Sequence, residues 1–303
     1  EHDGIGLLPF KSRGYRKILG FEPSLKLSKQ SRNLGIKTKN QFFNLKNTSS
    51  LKNKVDLILA SNVFAHNDDL NELFISMKNS IKKTGTIIIE VQYFLNTIKD
   101  YSFDNIYHEH SNYWTLNALK NFVNKHNCKI FNAEEVNTHG GSIRVYVSKN
   151  LNIKSSKSVN VLLKRELKFK IKDKKKYLKF ENNLKKKRKN VLKNINWLKK
   201  KFKKIYGYGA SAKATVSMNY FGLDYKVLQN IIDDNPLKVG KYIPGTKVKI
   251  ISNKNIKESC VVVFAWNMYD EISKKNFNNF KYFISIRDLY KSNFIENFKR
   301  KYK

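Results

Sequence analysis

The chain has 303 residues, enough for one large domain or two ordinary ones. Its 41% apolar and 13% aromatic content can pack cores, which excludes a wholly disordered basic chain. Sixty Lys and Arg against 24 Asp and Glu give a formal charge of +36, no apolar run approaches the ~18–20 residues that span a bilayer, and Cys128 and Cys260 make neither a disulfide framework nor a four-thiolate zinc site. A reducing cytoplasm is the simplest setting. The first residue is Glu1, with no signal peptide behind it, so the natural beginning is expected upstream.

In chain order, strands are predicted at Lys17–Phe21, Val55–Ser61, Thr86–Val91, Lys129–Val136 and Ile143–Ser148, with helices over 24–34, 68–82 and 115–126. Such alternation makes a parallel sheet covered by helices. Asn137–Gly141 is short enough to join the last two strands as an antiparallel hairpin. Residues 1–150 are therefore expected to form an α/β, Rossmann-like domain with a terminal antiparallel hairpin, a plan similar to that of the common S-adenosylmethionine-dependent methyltransferases. Over 151–203, Leu184, Val191, Ile195, Leu198 and Phe202 recur at helical spacing and predict a long amphipathic linker helix. Residues 164–204 hold 20 Lys and Arg against 3 Asp and Glu, nearly half of the excess charge. These lysines do not alternate with aromatics as on a single-strand stacking platform. Lys and Asn are also abundant throughout, as AT-rich codons produce. A solvated face is thus favoured over an anionic partner such as nucleic acid or membrane lipid. Residues 204–303 are expected to form a second, smaller α/β Rossmann-like domain, with apolar strands at 227–232, 260–266 and 281–286.

Three features of 1–150 converge on a nucleoside-binding cleft. Asp3-Gly4 precedes the helical run at Leu7–Phe10, and a glycine turn entering a helix lets backbone N–H groups approach a ligand. Glu22 follows the strand Lys17–Phe21, where a carboxylate can accept both ribose hydroxyls; the alternative is a surface glutamate favouring the next helix N-terminus. Ser61, Asn62 and His66 leave the strand that begins at Val55, at the edge where open α/β sheets bind ligands. Asn67 or Asp68 can cap the following helix.

Tyr107-His108-Glu109-His110 is the densest reactive patch. It follows an insertion, 92–106, and so belongs over the carboxyl edge of the sheet. The residue types offer a general base, a group to orient it, and a phenol that can hydrogen-bond a developing oxyanion. A metal site would still need a third ligand, and a plain polar loop before a helix is an equal alternative. Gly207-x-Gly209-x-x-Ala212 after a strand, with Asp233 further on, loosely fits a dinucleotide fingerprint. It suggests phosphate at a helix N-terminus with Ser211 in the loop and Lys213 to neutralise it; glycines that only permit close packing remain an alternative. His139-Gly140-Gly141 either lines a cleft or is a hairpin turn.

Glu22 in Gly-Phe-Glu-Pro-Ser, His66 in Asn-Val-Phe-Ala-His, Tyr107–His110, His139–Val145, Gly207–Lys213, Asp233–Gly240 and Ile243–Thr246 occur in an order that resembles the S-adenosylmethionine-dependent sugar C-methyltransferases. Members of that family add a methyl group to a carbon of a nucleotide-linked keto-sugar, and look like a zinc module, a methyltransferase domain and a C-terminal Rossmann-like domain. The resemblance implies that the zinc module and the first part of the cofactor loop lie upstream of Glu1, with Asp3-Gly4 as the loop's end. It implies S-adenosyl-L-methionine as cofactor, held by Asp3, Gly4, Glu22, Ser61 and Asn62. His110 resembles the base beside the ketone, with Glu109 next to it, and Tyr107 and His66 resemble groups that hold the enolate or sugar. His139, Gly140, Gly141, Gly207, Gly209, Ser211 and Lys213 then face the nucleotide sugar, and no metal is needed. Rival readings are a basic nucleic-acid-binding protein or RNA methyltransferase, an inactive remnant with an incomplete cofactor loop, and an NAD-dependent oxidoreductase. The residues set no oligomeric state.

Overall fold

The structure is a computed structural model that describes residues 4–253, 259–276 and 280–302, with the backbone but not the side chain of His139. Two units divide the chain: Glu1–Asn96 with His108–Ile171, and Thr97–Tyr107 with Lys172–Lys303.

The first unit runs α1 (Leu8–Ser12), β1 (Gly20–Phe21), α2 (Leu25–Asn33), β2 (Thr38–Lys39), α3 (Leu45–Thr48), β3 (Val55–Ser61), α4 (Leu70–Ser80) and β4 (Ile81–Gln92). After α5 (Phe94–Lys99), where the chain leaves this unit, come α6 (Leu116–Lys125), β5 (Lys129–Val136), β6 (Ser142–Ser148) and α7 (Lys157–Phe169). Ser24, Asp69 and Thr115 start α2, α4 and α6 by accepting the N–H three residues on, at 3.4, 2.9 and 3.1 Å. The main sheet has the order β3-β4-β6-β5, with β3 parallel to β4 and the β5–β6 hairpin antiparallel. Ile87, Ile89 and Val91 alternate into the core opposite Val147, Val145 and Ile143.

β1 and β2 form a separate parallel pair. The strand expected over Lys17–Phe21 shrinks to Gly20–Phe21, because its partner is two residues long and a ladder runs no further than its partner. β4 begins at Ile81 rather than Thr86: Ile81 pairs with Val55 ahead of a register shift, in a stretch too polar to read as strand.

The second unit runs α8 (Lys174–Lys201), β7 (Ile205–Tyr208), α9 (Ala212–Phe221), β8 (Ile231–Ile232), β9 (Tyr242–Ile243), β10 (Val248–Ile251), β11 (Cys260–Val263), α10 (Tyr269–Lys275), β12 (Tyr282–Ser285) and α11 (Phe294–Lys301). Its sheet order is β12-β11-β7-β8-β10-β9, parallel except for β9. Taken from β10 to β12, the five parallel strands follow the doubly wound order, which places the topological switch between β7 and β11. The expected stripe of α8 is buried at Leu184, Val191, Ile195 and Leu198, and its 28 residues extend about 42 Å. The basic region 151–203 is divided: α7 ends at a left-handed Lys170 and belongs to the first unit, while Asp173 caps α8 in the second. The insertion is also shared out, since Thr97–Tyr107 joins the second unit and Phe103 packs edge-on to Phe221 in its core, centroids 5.5 Å apart. Among the described residues no helix is long and apolar enough to cross a membrane.

Candidate functional site

In the first unit, β3 ends at Ser61 and Asn62 turns the chain with φ +54°, its N–H held by the carbonyl of Glu90 at 2.8 Å. Buried Phe64 and Ala65 anchor the short turn that carries His66. The carbonyl of Ala65 accepts the N–H of Ser111 at 2.8 Å, which lays the motif loop alongside that turn. Nδ1 of His66 meets the carbonyl of Glu109 at 2.8 Å. A carbonyl only accepts, so Nδ1 carries a hydrogen and donates it to Glu109. The rings of His66 and His110 lie with centroids 4.8 Å apart, and Tyr113 stands edge-on to His110 at 6.3 Å. His66, Glu109 and His110 are thus brought together; Glu109 contributes its main chain to the pairing. Tyr107 belongs to the second unit.

Glu22 is 5% exposed at the carboxyl end of β1, and its Oε1 accepts the N–H of Ser24 at 2.8 Å while Asn40 donates to its carbonyl at 3.0 Å. This carboxylate is oriented by the turn into α2. Ser61 and Asn62 occupy the corresponding end of β3. Gly4 has φ +89°, and a Cβ there would meet Ser31 Oγ at 2.6 Å, so its glycine is required by packing on α2. Asp3 lies outside the described residues.

The hairpin glycines have a local cause. Gly141 has φ +113° and a Cβ would meet Asn96 Nδ2 at 2.9 Å, while Asn96 itself donates to Glu135 at 3.0 Å. The side chain of His139 lies outside the described residues. Two buried carboxylates escape the sequence reading. Arg144 gives two N–H groups to Oε2 of Glu90, at 2.7 and 3.0 Å, and a third to Glu134 at 3.1 Å. Glu166 accepts Tyr93 Oη and the N–H groups of Leu116 and Asn117 at 2.8, 2.6 and 3.0 Å, and so caps α6 from α7. The partners of Glu166 lie 49 to 73 residues away, beyond any local pattern.

In the second unit the fingerprint positions have structural occupants. A Cβ on Gly207 would meet Ile231 at 3.0 Å and Phe264 at 3.1 Å, and one on Gly209 (φ +89°) would meet Ala265 at 3.0 Å. Asp233, at the ribose-acid position, accepts the N–H of Ala210 at 2.8 Å and of Asn235 at 2.9 Å and pairs with Lys238 at 3.2 Å. Ser211 caps α9. Lys213 bonds Asn105 Oδ1 and lies 5.2 Å from the centroid of the Trp266 ring. Asp104, 1% exposed, accepts Trp266 Nε1 at 2.5 Å. Arg287 stacks on Trp266 at 3.2 Å and donates to Ser102 at 2.6 Å. Burial pushes the Asp104 carboxyl up and Lys213 down to about 8, each against the attraction of the other. The segment 97–107 therefore occupies the carboxyl edge of this sheet, where a doubly wound fold takes its ligand.

Known families match the chain in two parts, which meet at the β5–β6 hairpin of the first unit and so do not coincide with the two units. Residues 2–132 match the family described as a methyltransferase domain, and residues 137–282 match the C-methyltransferase C-terminal domain. The chain is 24% identical over 279 residues to C-methyltransferase NovU of Streptomyces niveus, covering 90% of this chain and 66% of that protein, so it spans just under two thirds of its curated relative. Among solved structures it is similar to a SAM-dependent methyltransferase of Thermotoga maritima (17% identity, 49% of this chain and 78% of that one, TM-score 0.39). Another is an S-adenosylmethionine-dependent methyltransferase of Mesorhizobium loti (13%, 48% and 86%, 0.39). The two matched models, a methyltransferase domain followed by a C-methyltransferase C-terminal domain, together account for nearly the whole chain, and the methyltransferase match implies S-adenosyl-L-methionine as cofactor.

Proposed function

We propose that the protein methylates a carbon atom next to the ketone of a nucleotide-linked sugar, through an enolate formed by His110. The observation that carries the reading is the His66–His110 pair: two imidazoles 4.8 Å apart, one held in place by its Nδ1 donating to the Glu109 carbonyl. A carbon is a poor nucleophile until an adjacent carbonyl can take its charge, and an imidazole has the right basicity near neutral pH to remove the proton. His66 then holds the sugar or the enolate oxygen, and Glu22 binds the ribose of the cofactor. The family resemblance gives Tyr107 the same purpose as His66. S-adenosyl-L-methionine, when bound, supplies a methyl group already activated on a sulfonium. What remains for the chain is alignment and deprotonation.

The test uses a thymidine diphosphate-linked keto-sugar in deuterated water, with exchange at the carbon next to the ketone followed by NMR. His110→Ala should slow exchange by about 10²-fold or more with cofactor affinity within twofold of wild type. Glu22→Ala should weaken the cofactor about tenfold, roughly the 1.4 kcal/mol of a charged hydrogen bond, and leave exchange intact. Equal loss of both properties in either variant would defeat these assignments.

A further inference from the structure

A recess of about 510 Å³ opens in the second unit between α8, the turn after β12 and the start of α11. Three cations line it, Lys187, Arg287 and Lys291, with Ser292 and Asn293 at the entry to α11 and a single carboxylate, Asp100. Lys187 is the α8 lysine on this wall; Val191, one turn further on, is buried in the core beneath it.

The charges in it are matched in part by the protein itself: Asp288 pairs with Lys291, and Asp104 and Asp100 act on Arg287 without an ion pair among the described residues. The ammonium of Lys187 lies 4.6 Å from the centroid of the Tyr101 ring and 5.3 Å from that of Tyr290, and it makes no ion pair among the described residues. Among the same residues Arg287 is likewise engaged by a ring and a hydroxyl rather than by a salt bridge. Burial first, and then the neighbouring Arg287, hold Lys187 below its ordinary ammonium value. Lys291 reaches Asp288 at 2.7 Å. α11 adds its positive end, since Asn293 makes no side-chain cap bond there. The wall is also rigid. Asn190 donates to the carbonyl of Tyr290 at 2.8 Å, and Asn194 to those of Leu289 and Lys291 at 3.0 Å each, so α8 clamps the turn that carries Arg287 and Lys291.

We propose that this recess binds a phosphate or diphosphate group, with Lys187, Arg287 and Lys291 around it. Like charges held together on a clamped wall, met only in part by Asp100 and Asp288, are relieved further when an anion joins them, and the volume falls in the ~300–1,000 Å³ range of small-molecule sites. The source of the anion, the diphosphate of the sugar nucleotide, rests on the reading under Proposed function; the recess does not.

The experiment is calorimetric titration of the whole chain with inorganic pyrophosphate, then with thymidine diphosphate, at two salt concentrations. Lys187→Ala/Lys291→Ala should bind pyrophosphate at least tenfold more weakly, with an unchanged thermal melt. Lys199→Ala/Lys200→Ala, on exposed α8 positions, should bind as wild type. Equal weakening in the two pairs would show only the diffuse field of a strongly basic chain and would overturn the site, as would no pyrophosphate binding. If the first pair fails to fold, Lys291→Gln alone should weaken binding about threefold, and no change would count against the site. Pyrophosphate bound in the recess but not displaced by the keto-sugar nucleotide would keep the site and remove the proposed source.

Discussion

Replacing Asp104 by alanine removes the main anion acting on both Lys213 and Arg287. The carboxylate is 1% exposed and accepts Trp266 Nε1 at 2.5 Å, so the variant leaves two cations and one indole N–H without that partner in a place water reaches poorly. Breaking a buried pair from one side costs about 3–5 kcal/mol, a large share of the ~5–15 kcal/mol that holds a domain folded. With a urea slope of about 2 kcal/mol/M, the unfolding midpoint of the second unit should fall by about 2 M. Tryptophan emission can follow it, because Trp197 and Trp266 lie in this unit and Trp114 in the other. Lys213→Met in the same background removes one stranded charge and should recover at least about 1 kcal/mol, a coupling that independent sites do not show. A midpoint within about 0.5 kcal/mol of wild type, the scale of surface changes, would mean that the carboxylate is solvated and that segment 97–107 is not anchored by it.

Lys213 makes a second test through pH. Burial lowers it from 10.5 to about 8 in the fold, so between those values the unfolded chain binds a proton that the folded one does not. Stability must then rise as pH rises through that window, by up to about 3 kcal/mol, and Lys213→Met should abolish the rise; a flat wild-type profile across the window would refute it. Glu166→Ala strips three donors of their acceptor, among them the buried hydroxyl of Tyr93, which burial pushes well above its ordinary value. A loss of about 3 kcal/mol is expected, read as a melting shift of about 10 °C for a unit of this size, with Glu166→Gln at less than the full loss. A shift under about 2 °C for the alanine variant would remove Glu166 as the cap of α6.

What is legible in the sequence is what chemistry or periodicity writes locally. β3 and β5 fall where their apolar alternation places them, α8 buries the predicted stripe, and the hairpin closes on its glycines. His66 and His110 can be read as reactive types, and their order along the chain carries the family resemblance. The contact between them cannot, since it depends on Ser111 meeting Ala65 across a long stretch of chain. β2 and α3 escape because two to four residues have no period to detect.

The deeper difference concerns allegiance. Asp104 and Trp266 are 162 residues apart, and nothing near either position says that an insertion of the first domain is built into the second. The glycine fingerprint at Gly207 and Gly209 reads in sequence as a phosphate signal. Its steric demands come from Ile231, Phe264 and Ala265, and the acid that should meet ribose is occupied by Ala210, Asn235 and Lys238. A parallel sheet that crosses at β7 needs small residues there whatever it binds. The crossing alone thus accounts for the steric demand of the fingerprint glycines, and the anion proposed for this unit rests on a separate observation, the cations Lys187, Arg287 and Lys291 gathered around one recess.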